Sequence, residues 1–499
     1  MKTNLSILLA LLCLSLGLHA QGVDDAVFNA QTYYEGTGRS MAMGNATGAM
    51  GGDVTAICIN PAGMGLYRAQ EFTFTTGLQH TLIHSNYYDT GRNAGKMRLT
   101  VPNVGLIFAS QFSNYEAVRF VQFGIGFTRT NDFNYRSRAY GLNPNSSMVD
   151  AYLQTVNGID ELFDPNTNVS DYLDNNYAYD LSPAWETFLI DQNIDTMGYI
   201  EYWSPVPKGD IYQSDEVTST GRDGEWSFAL STNLHDKFFI GTSLGLTRFK
   251  RYTERTYTET PGVHSYDFDY WSHYEKLEDT AWGINFKLGV IYYPASWLRV
   301  GAAWHSRTHY FFGEDWSTWT STQLNNGNGY HKYLSPAFYQ TYDFKTPHTF
   351  IGSLAFLVDR KGMVTADVEY KNYGSSRFSS DDYSFNEANN DIKKFLKPTF
   401  NIRLGTEWRL RQYFLRGGLA YYGSPYGFGE NYGSVKKVAF GVGYATSEVT
   451  SWDFAYELTE CTSGYTPYSY YENDVNIAGD VIQRKWRNKL MVTLKMRFE

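Results

Sequence analysis

The chain has 499 residues, of which 17% are aromatic, with 41 Tyr, 45 Gly and a mean hydropathy of -0.41. A formal net charge of -10, a pI near 5.5 and scattered Lys and Arg exclude the basic face that a nucleic-acid binder needs. Three cysteines, one of them inside the leader, are too few for a secreted disulfide framework.

Residues 1–20 read as a cleaved signal peptide. Lys2 precedes an apolar run from Leu5 to Leu18, and Leu18-His19-Ala20 offers a cleavage site, so the mature chain is expected to begin near Gln21. Cys13 follows Leu12, where a lipoprotein site would place a small residue, which argues against a lipid anchor. No later run of eighteen apolar residues exists to make a spanning helix, so any membrane crossing must be made of strands.

Residues 21–68 are rich in small side chains. They contain Gly36-Thr37-Gly38-Arg39, then Gly48-Ala49-Met50-Gly51-Gly52-Asp53, then Ile59-Asn60-Pro61-Ala62-Gly63-Met64. Such a segment buries little apolar surface alone but packs closely in a confined space, as a plug must.

From there apolar residues alternate along Phe72 to Leu82, Val104 to Ser110, Val121 to Phe127, Trp226 to Leu230, Ile240 to Leu246, Trp282 to Tyr292 and Leu298 to Trp304. The pattern continues along Phe350 to Phe356, Val364 to Tyr370, Phe400 to Leu410, Leu415 to Tyr421, Val438 to Tyr444, Trp452 to Leu458 and Leu490 to Phe498. Every second link is a tight turn: Ser113 to Glu116, Leu234 to Lys237, Pro294 to Ser296, Asp359 to Gly362, Leu410 to Gln412 and Ala445 to Ser451. The alternate links are expected to be long. Half-buried strands of a soluble sandwich would alternate too, but a sandwich has no reason to segregate its loops. The fold expected for residues 69–499 is therefore an all-β, antiparallel outer-membrane β-barrel of about fourteen strands, with residues 21–68 as a plug in its lumen. The last strand ends one residue short of the C-terminus and is the expected handle for the barrel assembly machinery; outer-membrane lipid is the other expected partner.

The longest outer link, 131–224, is too long to be structureless. A helix is expected over Ser147 to Val156, with Met148, Leu153 and Val156 as its apolar stripe, and another starting at Ser182 as cap with Pro183 in the first turn. Phe311 to Thr346 reads as a second outer segment rich in Trp and Tyr, with a turn at Asn325-Asn326-Gly327-Asn328-Gly329. Aromatics in such loops either hold the loops together or form a hydrophobic landing surface.

Strand parity turns Arg403, Glu407 and Arg409 toward the lumen, along with Arg416, Lys287, Arg299, Arg307, Asp367, Glu369, Asp453 and Glu457. They form either an internal ion-pair network or, at Arg403 or Arg416, an anchor for a ligand carboxylate. In the third strand, Gly124 and Gly126 either weaken pairing as a lateral gate or make room for the plug. His305 faces inward and His235 lies in a turn, neither with a nucleophile or orienting acid, so no catalytic residue is assigned and no enzyme is expected. The ten His residues are dispersed and no Cys-x-x-Cys occurs, so neither metal nor haem, nor any other cofactor, is expected. No phosphate-binding Gly-x4-Gly-Lys-Ser/Thr motif occurs either, which fits passive rather than ATP-driven movement.

The Gly36-x-Gly38-Arg39 element, the small residues after it and Asn60-Pro61-Ala62 just before the first strand resemble the FadL/TodX family of outer-membrane transporters for hydrophobic compounds. That resemblance implies a fourteen-stranded barrel with an N-terminal hatch, in the outer membrane of a Gram-negative bacterium. It also implies passive uptake of a hydrophobic small molecule, a long-chain fatty acid or similar, with sideways release at the third strand. The 131–224 insertion departs from the family pattern. A structural or adhesive barrel with aromatic surface loops is the alternative. Cys58 and Cys461 are expected at opposite levels, with roughly 25 Å of apolar band between them, and so as free thiols.

Overall fold

The computed structural model of the protein describes residues 21–112, 117–262, 267–325, 327, 329–359, 361–427, 432–473 and 475–498. The signal peptide expected at 1–20 and the turn expected at Ser113 to Glu116 lie outside the described residues.

Fourteen barrel strands follow one another in chain order. They are β1 (Gln70–Tyr87), β2 (Thr90–Gln111), β3 (Val118–Asp132), β4 (Ile211–Leu234), β5 (Phe238–Pro261), β6 (Phe268–Ala295) and β7, in two segments (Leu298–His305 and His309–Leu324). Then come β8 (Phe338–Lys345 and Thr349–Val358), β9 (Gly362–Asn372, then Arg377–Ser379), β10 (Pro398–Leu410), β11 (Tyr413–Tyr422), β12 (Val435–Ala445), β13 (Thr450–Tyr465) and β14 (Val481–Phe498). Each pairs antiparallel with the next, and β14 closes on β1 from Gln70↔Phe498 to Asn86↔Ile482. Closure removes the two free sheet edges whose backbone donors and acceptors lipid would leave unpaired.

The apolar alternation decides which face meets lipid. On β6 the exposed residues are Trp282, Ile284, Phe286, Leu288, Val290 and Tyr292, while Asn285 and Lys287 between them are buried inside. No described helix is long and apolar enough to span a membrane. The tight turns lie at the end of the barrel that also holds the C-terminus. His235 and Asp236 make the β4–β5 turn with left-handed φ of 52° and 53°.

The outer ends differ from the expected loops. β1 and β2 continue past their apolar stretches to a two-residue turn, Tyr88 and Asp89, with φ of 43° and 57°. β4, β5 and β6 run to 24, 24 and 28 residues and project beyond the apolar band. The Phe311 to Thr346 segment is sheet rather than loop: β7 and β8 continue through it, and Gly329–Leu334 folds back on β7. Of the Asn325 to Gly329 tract, Asn325 and Gly327 lie in a turn and Gly329 opens the strand that folds back.

The long insertion is shorter than 131–224 because pairing resumes at Tyr135–Asn143 against the start of β4. Residues 144–210 fold into a small outer subdomain with helices Met148–Val156, Val169–Asn176 and Leu181–Glu186 and the hairpin Asp191–Ile194/Ile200–Trp203. Ser147 caps the first helix, accepting from Val149 N–H at 3.0 Å while Asp150 accepts from Ser147 N–H at 2.7 Å. Its buried residues are Val149 and Val156; Met148 and Leu153 are only half-buried. The cap of the third helix is Asp180, not Ser182, whose hydroxyl lies within the helix and donates to Asp174 instead. Leu162, Leu173, Leu181 and Leu189 pack with Tyr257 of β5 and Trp271 of β6 to seat the subdomain on the projecting sheet.

Candidate functional site

Residues 21–68 fill the lumen, and most of them are buried. They begin with a helix, Val23–Ala30, followed by short turns of helix at Gly38–Ala42, Ala56–Ile59 and Pro61–Leu66. Each element of the Gly-x-Gly-Arg motif has a physical reason. A Cβ on Gly36 would lie 2.2 Å from Thr55 Oγ1, and one on Gly38 would lie 3.1 Å from the Asp453 carbonyl of β13. The Gly38 N–H donates to Thr493 Oγ1 of β14 at 2.7 Å. Arg39 reaches Glu407 of β10 with two prongs, at 2.8 and 2.9 Å, and donates to the Gly52 carbonyl at 2.8 Å.

Asn60-Pro61-Ala62 is the second anchor. The Asn60 carboxamide accepts from Ala62 N–H at 3.2 Å, capping the 3-10 turn that Pro61 opens, and donates to the Gly48 carbonyl at 2.7 Å. The barrel wall is notched to receive it: a Cβ on Gly289 would lie 1.9 Å from Asn60 Oδ1, and one on Gly241 2.3 Å from the Pro61 carbonyl carbon. Similar notches at Gly301, Gly405 and Gly418 take the backbone of residues 43–48, so the glycines that receive the hatch are spread over β5, β6, β7, β10 and β11. Their lumen-facing parity was legible in sequence; what they face was not.

Gly124 and Gly126 belong to the same set. A Cβ on Gly124 would lie 2.6 Å from Met64 Sδ and 3.0 Å from Ile57 Cδ1, and Ile57 also stands against Gly126 at 3.7 Å. The ladders to β2 and β4 run without a break through both glycines. Both glycines therefore stand directly against the hatch.

Buried charge ties the hatch to the wall. Arg39, Glu407, Arg416, Asp453, Lys495 and Asp53 form one chain of ion pairs at 2.8, 2.6, 2.6, 3.2 and 3.0 Å, beginning and ending in the hatch. Thr37 Oγ1 donates to both Asp53 oxygens. Glu35 pairs with Lys489 of β14, and Lys287 with Glu225. Of the expected lumen charges, Arg403 lies between Glu369 at 2.8 Å and Asp367 at 3.6 Å, and Glu457 pairs with Lys437 at 3.4 Å. Arg403 and Arg416 each therefore hold two internal carboxylates, the arrangement of an ion-pair network. Arg299 donates to the Met50 carbonyl and Arg307 to the Ser375 carbonyl. Arg409 is exposed, because β10 has left the lumen by that point; its guanidinium lies over Phe414. Glu35, Asp53, Lys489 and Lys495 were missed as partners, because the sequence shows their charge but not which hatch residue each meets.

His305 donates Nε2–H to the Ile59 carbonyl at 2.9 Å and serves as another hatch contact. Cys58 is buried beside Ser227 and Cys461 lies apart from it, both as free thiols.

Above the hatch the wall departs from a regular cylinder. β2 pairs with β3 only from Asn103 to Gln111, so above Asn103 its ladder partner is β1 alone. At that level β3 turns inward. Thr128 to Asn134 are buried at every position instead of every second one, and the ladder to β4 shifts register between Arg129 and Asn131. The hatch takes the vacated hydrogen bonds: Tyr33 and Glu35 N–H donate to the Thr130 and Arg129 carbonyls at 2.6 and 2.9 Å. Asp132, fully buried, fixes the bend by accepting from Gln79 at 2.8 Å and Arg129 at 2.9 Å, with Arg98 at 3.8 Å.

Beside this bend lies an aromatic mouth. Phe133 packs between Phe28 and Phe249 at ring distances of 4.6 and 4.8 Å, and Tyr310, Phe312, Tyr342 and Phe344 continue the cluster around the Val23–Ala30 helix. Beneath it a polar cavity of about 40 Å³ is lined by Tyr34, Glu225, Lys287, His305, Tyr310 and Lys371, room for ordered water.

The P. putida toluene transporter TodX has this architecture: it aligns with 94% of the chain and 99% of its own, at 13% identity and a TM-score of 0.52. A Pseudomonas aeruginosa FadL homologue aligns over the same shares, at 13% identity and a TM-score of 0.54. The chain has the FadL-type barrel fold. No family model and no curated protein sequence matches it. In this FadL-type barrel the parting of β2 from β3, the aromatic mouth and the hatch lie within one connected region of the lumen.

Proposed function

We propose that the chain is a passive conduit for hydrophobic molecules across the outer membrane, with long-chain fatty acids or similar compounds as its substrates. The observation that carries this reading is the inward turn of β3 at Arg129 to Asn134, which parts β3 from β2 directly above a lumen closed by a hatch. A solute that cannot cross a watery lumen has a use for a sideways exit into lipid; a structural barrel has none. The exit belongs at this parting and not at Gly124 and Gly126, whose pairing is continuous.

The outer face supports the same reading. Ile194, Met197, Tyr199 and Trp203 on the subdomain hairpin are exposed, Met197 at 82%, and offer an apolar landing surface. From there the aromatic mouth leads inward. For an acid headgroup, Arg403 and Arg416 are occupied by internal carboxylates, whereas Lys371 at the cavity has no ion-pair partner among the described residues and donates to the Ala30 carbonyl. Lys371 is therefore the better carboxylate contact. Movement runs down a gradient, β14 is what the assembly machinery engages, and lipid surrounds the wall.

The test is mass spectrometry of molecules that co-purify with the protein from mild detergent, together with uptake of labelled oleate and labelled toluene by cells with and without the gene. Recovery of an acyl chain or an aromatic, with uptake above the deletion strain, is expected. Absence of both would favour the adhesive barrel, for which the exposed hairpin serves equally well.

A further inference from the structure

The outer wall of β4, β5 and β6 carries a second feature that uptake does not use. On β6 the exposed residues from Tyr292 to Trp282 span ten positions. At about 3.3 Å per residue and about 40° of tilt, that is an apolar band of roughly 25 Å, the height expected of an outer-membrane barrel. Trp282, exposed at 60%, thus marks the outer edge of the band, and Phe311 marks it on the adjacent β7 and Trp226 on β4, one strand beyond β5.

Three cations stand at this edge. Arg248 is the register partner of Trp282 and lies over its ring at 4.6 Å. Arg222 lies 5.8 Å from the ring of Phe127, the register partner of Trp226. Arg222 and Lys250 are directly opposed on β4 and β5, and Arg248 is two residues before Lys250 on the same face. Opposed residues place their Cβ atoms about 5 Å apart and diagonal ones about 7 Å; Arg222 leans toward Phe127 on β3 and Arg248 toward Trp282 on β6, so with Lys250 between them the three cations form a row along the band edge that suits a headgroup with more than one phosphate. Lys250 is shared with Glu278 at 3.0 Å, and Glu254 and Lys276 oppose each other farther out. Arg222 and Arg248 have no ion-pair partner among the described residues. Stacking on an aromatic ring uses the face of a guanidinium and leaves its N–H edge for a two-pronged contact.

We propose that the row of Arg222, Lys250 and Arg248 binds the phosphates of lipid A, the phosphorylated acyl-glucosamine lipid of an outer leaflet. Its acyl chains lie along the exposed Phe228, Leu244, Leu246 and Ile284 below the cations. A free phosphate would gain the charge but not this apolar surface, so the lipid is the occupant. The inference rests on the outer-membrane placement and is independent of what the lumen carries.

The experiment uses the full-length barrel in mild detergent. Binding of bisphosphorylated lipid A, of the same lipid with both phosphates removed, and of inorganic phosphate is followed by native mass spectrometry and by thermal shift. The bisphosphorylated lipid is expected to be retained and to raise Tm, with the other two ineffective. Arg222→Gln/Arg248→Gln should weaken binding at least tenfold, and Arg222→Lys/Arg248→Lys, which keeps the charge but loses the fork and the ring contact, should fall between it and wild type; each variant is checked for the compact, heat-modifiable barrel on a gel. Equal retention of the dephosphorylated lipid, or unchanged binding in the Gln variant, overturns the proposal. Uptake by the same variants separates the two readings: lipid binding lost with uptake intact supports this site alone, and uptake absent in the wild type with lipid binding intact removes the conduit and leaves the site standing.

Discussion

The guanidinium of Arg39 and the carboxylate of Glu407 face each other across the hatch–wall boundary in a two-pronged pair at 2.8 and 2.9 Å. Glu407 is shared with Arg416, which is shared with Asp453, so the pair is the first link of a buried chain that returns to the hatch at Asp53. Breaking one member of a buried pair leaves an uncompensated charge and costs about 3–5 kcal/mol. Arg39→Ala is therefore expected to loosen the hatch without unfolding the barrel: proteoliposomes should leak small polar solutes faster, and residues 21–52 should become protease-sensitive. Adding Glu407→Gln should cost less than the sum of the two single changes. A tight, protease-resistant hatch in Arg39→Ala would show that the glycine notches alone hold it.

Deleting residues 21–52 removes the ion-paired half of the hatch but keeps Asn60 and Pro61 seated against Gly289 and Gly241. A folded barrel with raised permeability to glucose-sized solutes is expected in liposome swelling. Unchanged permeability would count against the hatch as the closure.

Gly124→Val/Gly126→Val tests where the weak point lies. A branched side chain at Gly124 collides with Met64 Sδ, 2.6 Å from the Cβ position, so the expected result is a displaced hatch with lower Tm and more leak. Asp132→Ala acts on the bend itself by releasing Gln79, Arg129 and Arg98. It should lower uptake of labelled oleate several-fold with little added leak. Normal uptake in Asp132→Ala, or slowed uptake without leak in the glycine variant, would reverse the assignment of the exit.

How much of this was written in the sequence varies with the physics of each region. All fourteen strands were legible because lipid outside and water inside impose a period of two. The projecting halves of β4 to β6 were not, since stretches such as Thr253 to Thr258 lie beyond the apolar band and carry polar residues on both faces. The Tyr88-Asp89 turn was hidden because Tyr rarely adopts a left-handed φ, and Asn-Gly, the usual signal, is absent. The hatch motifs stood out by composition, and parity placed Arg403 and Arg416 inside. Their partners depend on the closed barrel and were out of reach. So was the bend at Arg129 to Asn134, where nothing in the local pattern reveals that β3 loses its outward face.

Glu259 of β5 is the anchor of the outer subdomain. Fully buried, it accepts from Met148 N–H at 2.8 Å, Gln213 at 2.7 Å, Tyr257 at 2.8 Å and Trp271 Nε1 at 2.8 Å, as well as from the Ser147 hydroxyl. It also places negative charge at the start of the Met148–Val156 helix, where the helix dipole favours it. Glu259→Ala leaves those donors without an acceptor and should cost the subdomain roughly 3 kcal/mol or more. Limited proteolysis should then cut within 144–210 while the membrane barrel stays intact. Resistance equal to wild type would mean the apolar core around Leu162 and Leu173 suffices.

Asp150, in the same cap, gives the subdomain a pH dependence. Burial pushes its carboxyl up to about 6; the Ser147 N–H works against this and the nearby Glu259 charge adds to it. An unfolded Asp titrates near about 3.9, so the folded subdomain binds this proton more tightly than the unfolded chain does. The ionised carboxylate thus costs stability at pH 7, and that cost is relieved as the pH falls through about 6 toward the unfolded value. Asp150→Asn keeps an acceptor for the Ser147 N–H but removes the titration. Urea unfolding of the subdomain, followed by the fluorescence of Trp185 and Trp203, should show wild type gaining stability between pH 7.5 and pH 5 relative to Asp150→Asn. Parallel pH profiles for the two proteins would mean that Asp150 stays ionised across this range and that burial at the cap is offset by its hydrogen bond.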